Sequence, residues 1–162
     1  MVLFSGIFIG YMVFMHFSDN IGRRLGMILT SATTMIGFII LSCSQNMWWA
    51  CVGLLFAGAG CESNMRINLS IMNEVVDYHL RQKYSLILQC SFGVGGIFVA
   101  ISYYLLEDWR WVNTYFCTIP SIICFIIVVC FLEETPNYLM KKGSKAVLKS
   151  LQRIALINGY KC

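Results

Sequence analysis

Residues 111–132 contain no charged side chain, and neither do residues 85–106. A helix that crosses a bilayer needs ~20 mostly apolar residues, and both runs meet that length. In lipid every backbone N–H and C=O must find its partner inside the chain, so runs like these fold as helices. The whole sequence agrees. Of 162 residues, 58% are apolar and 12% charged, with a mean hydropathy of +0.70. A soluble domain holds about 45–50% apolar and about 25% charged residues. An ordinary water-soluble fold, a disordered tail and a nucleic-acid module are thereby excluded.

Three further stretches read as spans: residues 1–17, 25–43 and 47–73. The first lacks the basic leader and small-residue cleavage site of a signal peptide. Trp48, Trp49, Trp109 and Trp111 flank the spans, where an interfacial belt of aromatic residues belongs. The expected organisation is a transmembrane bundle over residues 1–132 and a cytoplasmic segment over 133–162. The fold class is all-α membrane protein. The eight cysteines fall mainly in apolar stretches without paired spacing, so they read as small buried hydrophobes.

Basic residues set the orientation. Arg23 and Arg24 lie between the first two spans, and Arg81 and Lys83 between the third and fourth. Lys141, Lys142, Lys145, Lys149, Arg153 and Lys161 follow the fifth. These segments alternate so as to share one face, which is therefore cytoplasmic, with the C-terminus. Only Arg66 and Arg110 lie elsewhere. The chain then starts on the outside, and the expectation is that a further segment precedes Met1. In the tail, Ser144 can cap a helix that Asn158-Gly159 ends. Val147, Leu148, Leu151, Ile154 and Ala155 share one face of it, and Lys145, Lys149 and Arg153 another. This is the pattern of an amphipathic helix at a membrane surface.

Small residues mark where spans pack in lipid. Gly6 and Gly10 form one such stripe. Gly26, Thr30, Thr33 and Gly37 form a second, and Ser85, Gln89, Gly93, Gly96 and Ala100 a third. Close helix packing is the expectation for all three, and Gln89 also suits a polar cavity.

The third span carries Glu62 and Arg66, four apart and so one turn apart on one face. A charge at mid-membrane costs roughly 2.5–3.5 kcal/mol on insertion scales, so each needs a partner or water. Ser70 and Asn73 continue the stripe, and Asn64 and Asn68 form a second polar edge. Two readings follow. The pair either locks helices together, or lines a wet cavity and touches a polar or ionic solute. Intramembrane ionisable residues favour the second.

The loops carry ordered motifs. Ser18-Asp19-Asn20-Ile21-Gly22-Arg23-Arg24 joins the first two spans. Glu74 and Arg81 bracket the next cytoplasmic turn. Asp108-Trp109-Arg110-Trp111 opens the fifth span. Glu134-Thr135-Pro136-Asn137-Tyr138-Leu139 follows it. Together these resemble the major facilitator superfamily, in its organic-ion and sugar porter branch. Asp19, Gly22, Arg23 and Arg24 match its loop signature, with Met15 in place of the first glycine and Asn20 in place of a basic residue. Glu74 and Arg81 match its E-x-x-x-x-x-x-R motif, with Asp77 for a proline and Gln82 for a glycine. Glu134 and Pro136 match its P-E-S-P-R motif, with Asn137 for the arginine.

The resemblance implies that the spans are the second to sixth helices of a twelve-helix transporter. It makes the chain part of the N-terminal half, with the first helix and the C-terminal half as missing partners. It places the third span on the solute path, so Glu62, Arg66, Ser70, Asn73 and Gln89 become cavity candidates. It assigns Asp19, Gly22, Arg23, Arg24, Glu74, Arg81, Glu134 and Pro136 to the gating loops. The family's basic residue near the start of its fourth helix is absent, as is the proline of its antiporter signature near Gly93. Facilitated uptake or symport is the reading that remains.

The expected function is alternating-access transport of small organic ions, in the plasma membrane or an endomembrane. Sugar transport is the alternative, and a non-transporting scaffold or partner-binding protein a third. An enzyme is not indicated. His16 and His79 have no carboxylate or cysteine at ligand spacing, and Gly93–Gly96 is not followed by the lysine of a phosphate loop. No cofactor, metal or nucleic acid is called for.

Overall fold

A computed structural model describes residues 1–106 and 108–132. The amphipathic helix expected near the C-terminus, Glu134 and Pro136 lie outside the described residues. Within them the chain is helical throughout. The order is α1 (Val2–Ile21), α2 (Arg23–Cys43), α3 (Met47–Val75) and α4 (Tyr78–Leu105). A last rod follows, built from α5 (Trp109–Val112), a π-helical turn (Asn113–Thr118) and α6 (Ile119–Phe131).

Among the described residues three helices are long and apolar enough to cross a membrane: Arg23–Cys43, Tyr78–Leu105 and the rod Trp109–Cys130. The apolar part of α1, Val2–Ser18, is shorter. Helix α3 has 29 residues and spans about 43 Å at 1.5 Å per residue, more than the ~30 Å hydrocarbon core. Glu62, Asn64, Arg66 and Asn68 interrupt its apolar character, which is why length alone qualifies it.

The α1–α2 connection is one residue. Gly22 has φ 126°, a conformation open to glycine because it lacks a Cβ. Its N–H bonds back to the Ser18 carbonyl at 3.2 Å, and its own carbonyl accepts from Gly26 at 3.0 Å. The chain thus reverses without losing backbone hydrogen bonds. The α3–α4 connection is nearly as tight, with Val76 and Asp77 alone between the helices. Helix α4 therefore starts at Tyr78, before the apolar run at 85–106, and carries Arg81 and Lys83 in its first turns.

Helix α3 sits at the centre, between α1 and α2. A Cβ at Gly10 would collide with the Ala59 backbone, and one at Gly6 with the Leu55 carbonyl. Gly37 meets the Ala57 backbone in the same way. Two of the expected stripes therefore pack closely. On α2 the packed residue is Thr34 rather than Thr33. Thr34 is buried beside Gly60, while Thr33 satisfies its hydroxyl on the Leu29 carbonyl at 2.8 Å.

The third stripe behaves differently. Nothing among the described residues lies within 4 Å of where a Cβ would stand on Gly93, Gly95 or Gly96. Helix α4 buries only Ser102 fully. Its small-residue face is uncovered among the described residues.

Candidate functional site

The site builds outward from α3. Arg66 donates through Nε to Glu62 Oε1 at 2.9 Å, in the i, i+4 geometry that the spacing requires. The Glu62 side chain is 23% exposed and that of Arg66 is 54% exposed. One guanidinium nitrogen and one carboxylate oxygen make the pair, so each group keeps hydrogen-bonding capacity.

Beside this pair runs a groove of about 320 Å³ between α3 and α4, lined by Cys61, Glu62, Asn64, Met65, Asn68, Leu88, Ser91 and Phe92. One wall is polar, with Asn64 and Asn68 one turn apart. The other is Leu88 and Phe92, with Ser91 between. The Asn64 Oδ1 atom is buried without a hydrogen-bond partner. Ser91 bonds its own helix, donating to the Ile87 carbonyl at 2.9 Å.

Glu62 is thus the one expected cavity residue that lines this groove. Arg66 stands at its edge through the ion pair. Ser70 is half-buried and Asn73 exposed farther along α3, and Gln89 is exposed on α4. None of these three contributes to the lining. Cys61 and Met65 on α3, and Leu88, Ser91 and Phe92 on α4, are lining residues that the sequence did not single out for a cavity. The signal on α4 was register, since Leu88, Ser91 and Phe92 stand at i, i+3 and i+4 on one helix face.

The loop residues gather at the end of the bundle where α1 meets α2. Arg23 Nε donates to Glu74 Oε1 at 3.2 Å, tying the start of α2 to the last turn of α3. Both side chains are about one-fifth exposed, at 18% and 20%. Arg24 turns the other way, its Nη2 donating to the Val129 carbonyl at 3.5 Å near the end of α6. Basic groups are favoured there by the carbonyl end of the helix dipole. Arg81 does not meet Glu74. It donates through Nε to the Val76 carbonyl at 2.9 Å. The Asp19 side chain lies outside the described residues.

At the opposite end a second polar cluster joins α2 to the π-helical turn. Asn113, 3% exposed, donates through Nδ2 to Ser42 Oγ at 2.8 Å and to the Phe38 carbonyl at 3.3 Å. The Ser42 and Thr118 hydroxyls share a hydrogen bond at 2.8 Å. The sequence reading passed over this cluster because each residue looks unremarkable in its own span. Among the described residues no group of His, Cys, Asp and Glu is placed to hold a metal ion.

A bundle of apolar helices, with an ion pair midway along its central helix and arginines gathered at one end, has the architecture of a polytopic membrane protein. The model of the family described as Sugar (and other) transporter matches residues 1–158. The chain belongs to that family, within the major facilitator superfamily. It is similar to mouse solute carrier family 22 member 2, with 26% identity over 95% of this chain and 28% of the relative. It is also similar to organic cation/carnitine transporter 7 of Arabidopsis thaliana, with 29% identity over 97% of this chain and 32% of the relative. Its fold matches the xylose transporter XylE of E. coli in a partially occluded inward-open conformation. The TM-score is 0.75 at 18% identity, over 94% of this chain and 41% of XylE. The chain spans under a third of the length of these curated relatives. These relatives are transporters rather than enzymes.

Proposed function

We propose that this chain builds one wall of the solute path in a transporter of small organic ions that works by alternating access. The observation that carries it is the Glu62–Arg66 pair, held at 2.9 Å halfway along α3 with the arginine half-exposed. A pair that served only to lock helices would be expected between two of them, yet both partners belong to α3 and open beside a groove. The relative named for organic cations and carnitine supports the charge class. In this reading Glu62 and Arg66 meet the solute, and Ser70, Asn73 and Gln89 extend the polar path. Asp19, Gly22, Arg23, Arg24, Glu74, Arg81, Glu134 and Pro136 brace the cytoplasmic gate. The rest of the transporter supplies the opposite wall. The protein is multi-pass, in the plasma membrane or an endomembrane, with a cytoplasmic C-terminus.

The test is uptake of radiolabelled choline by the intact transporter in cells, with surface protein quantified. Glu62→Gln and Arg66→Lys are each expected to cut uptake at least tenfold at unchanged surface level. Full uptake in both variants would leave the pair a purely structural role.

A second reading, a sugar path, is favoured by the uncharged donors and acceptors of Asn64, Asn68 and Ser91. It predicts that xylose or glucose competes for transport and that choline does not.

A further inference from the structure

The Asp108-Trp109-Arg110-Trp111 motif is left unused by the solute path. It lines a pocket of about 440 Å³ with Ser42 and Thr114, at the end of the bundle away from the Arg23–Glu74 pair. The hydroxyls there are already engaged. Ser42 is held by Asn113 and Thr118, and Thr114 donates to the Arg110 carbonyl at 2.8 Å. Among the described residues neither Asp108 nor Arg110 forms an ion pair. The Arg110 guanidinium lies 5.5 Å from the Trp109 ring centre, a cation–π contact that holds it at the pocket, and Trp111 stacks on Tyr115 at 5.7 Å.

Charges of both signs in one pocket, without an ion pair among the described residues, ask for a ligand that carries both. A simple anion would satisfy Arg110 alone, and a simple cation Asp108 alone. The location names the source. Helices α2 and α4 end here, and the exposed indoles of Trp109 and Trp111 mark headgroup depth. Below them Tyr115, Phe116 and Ile119 present apolar surface along the same rod, where acyl chains would lie.

We propose that this pocket holds the headgroup of a phosphoglyceride bearing both a phosphate and a primary ammonium, with Arg110 on the phosphate and Asp108 on the ammonium. Arginine matches phosphate oxygens through paired N–H donors, and a carboxylate takes charge-assisted hydrogen bonds from an N–H-bearing ammonium. A trimethylated headgroup offers no such donor to Asp108.

The test is native mass spectrometry of the protein released from nanodiscs. These contain equal parts of phosphatidylethanolamine, phosphatidylcholine and phosphatidylglycerol, matched in acyl chains. Wild type is expected to retain phosphatidylethanolamine at least fivefold over either other lipid. Arg110→Gln and Asp108→Asn should each cut that excess at least threefold. Equal retention of the three lipids by wild type overturns the proposal, whatever the variants do. So does a preference for phosphatidylglycerol, the mark of a lone-anion site, or an undiminished excess in folded Arg110→Gln and Asp108→Asn.

Discussion

Arg23 opens α2 and Glu74 closes α3, and their 3.2 Å contact fastens two helices at the end of the bundle where the chain makes its tightest turn. The Glu74 Oε2 atom is buried there without a partner. Its neighbour Arg24 holds the end of α6 instead. Two consecutive arginines therefore bind α2 to different helices.

Breaking this pair should cost more than breaking a surface pair. Exposed ion pairs contribute about 0–1 kcal/mol. With both partners about one-fifth exposed, Arg23→Ala or Glu74→Gln is expected to cost roughly 1–3 kcal/mol, because a shielded charge or acceptor is left behind. Thermal unfolding in mild detergent reads this. Coupling between the two in a double-mutant cycle is expected to exceed 0.5 kcal/mol, on the order seen for direct partners.

The glycines give a paired prediction. Gly10→Leu would drive a side chain into the Ala59 backbone, and overpacking costs about 1–3 kcal/mol. Gly93→Ala meets nothing within 4 Å among the described residues and exchanges a poor helix former for a good one. It is expected to be neutral or to stabilise by roughly 0.5–1 kcal/mol. A comparable loss in both would mean that the α4 face is covered in detergent.

Asn113→Leu should destabilise by about 1–3 kcal/mol, since it strips a donor from the half-buried Ser42 and Phe38 acceptors. The π-helical turn is expected to lose protection. Amide hydrogen exchange over residues 113–118 should speed up, while exchange in the middle of α2 stays unchanged.

Reversing the central pair tests its electrostatic logic. Glu62→Arg combined with Arg66→Glu keeps an i, i+4 pair, whereas either single change puts two like charges one turn apart. Membrane accumulation is expected to fall in both single variants and recover in the double one. Equal accumulation in all three would mean that water, not the partner, satisfies each charge.

Much of this was legible in the sequence. The long uncharged runs announced helices, the Glu62–Arg66 spacing placed the pair on one face, and Gly22 between Asp19 and the arginines marked the turn. These are properties of a helix and of a short loop, fixed by the 3.6-residue period and by which residues can adopt a positive φ. Other features were not legible. Nothing local to Arg81 shows that Glu74 would turn to Arg23 instead. Thr33 and Thr34 differ only in which side of α2 faces α3.

The sequence by itself therefore determined the helices, their apolar character and the pairing of charges one turn apart, because those follow from spacing along one chain. Only the tertiary structure decided which glycines meet backbone and which stand open, and which arginine serves which helix. It also decided that Asn64, Asn68, Ser91 and Phe92 share a groove with Glu62. Such relations depend on how each helix is rotated about its axis against its neighbours. Close packing between helices sets that rotation, and the pattern within any single helix does not contain it.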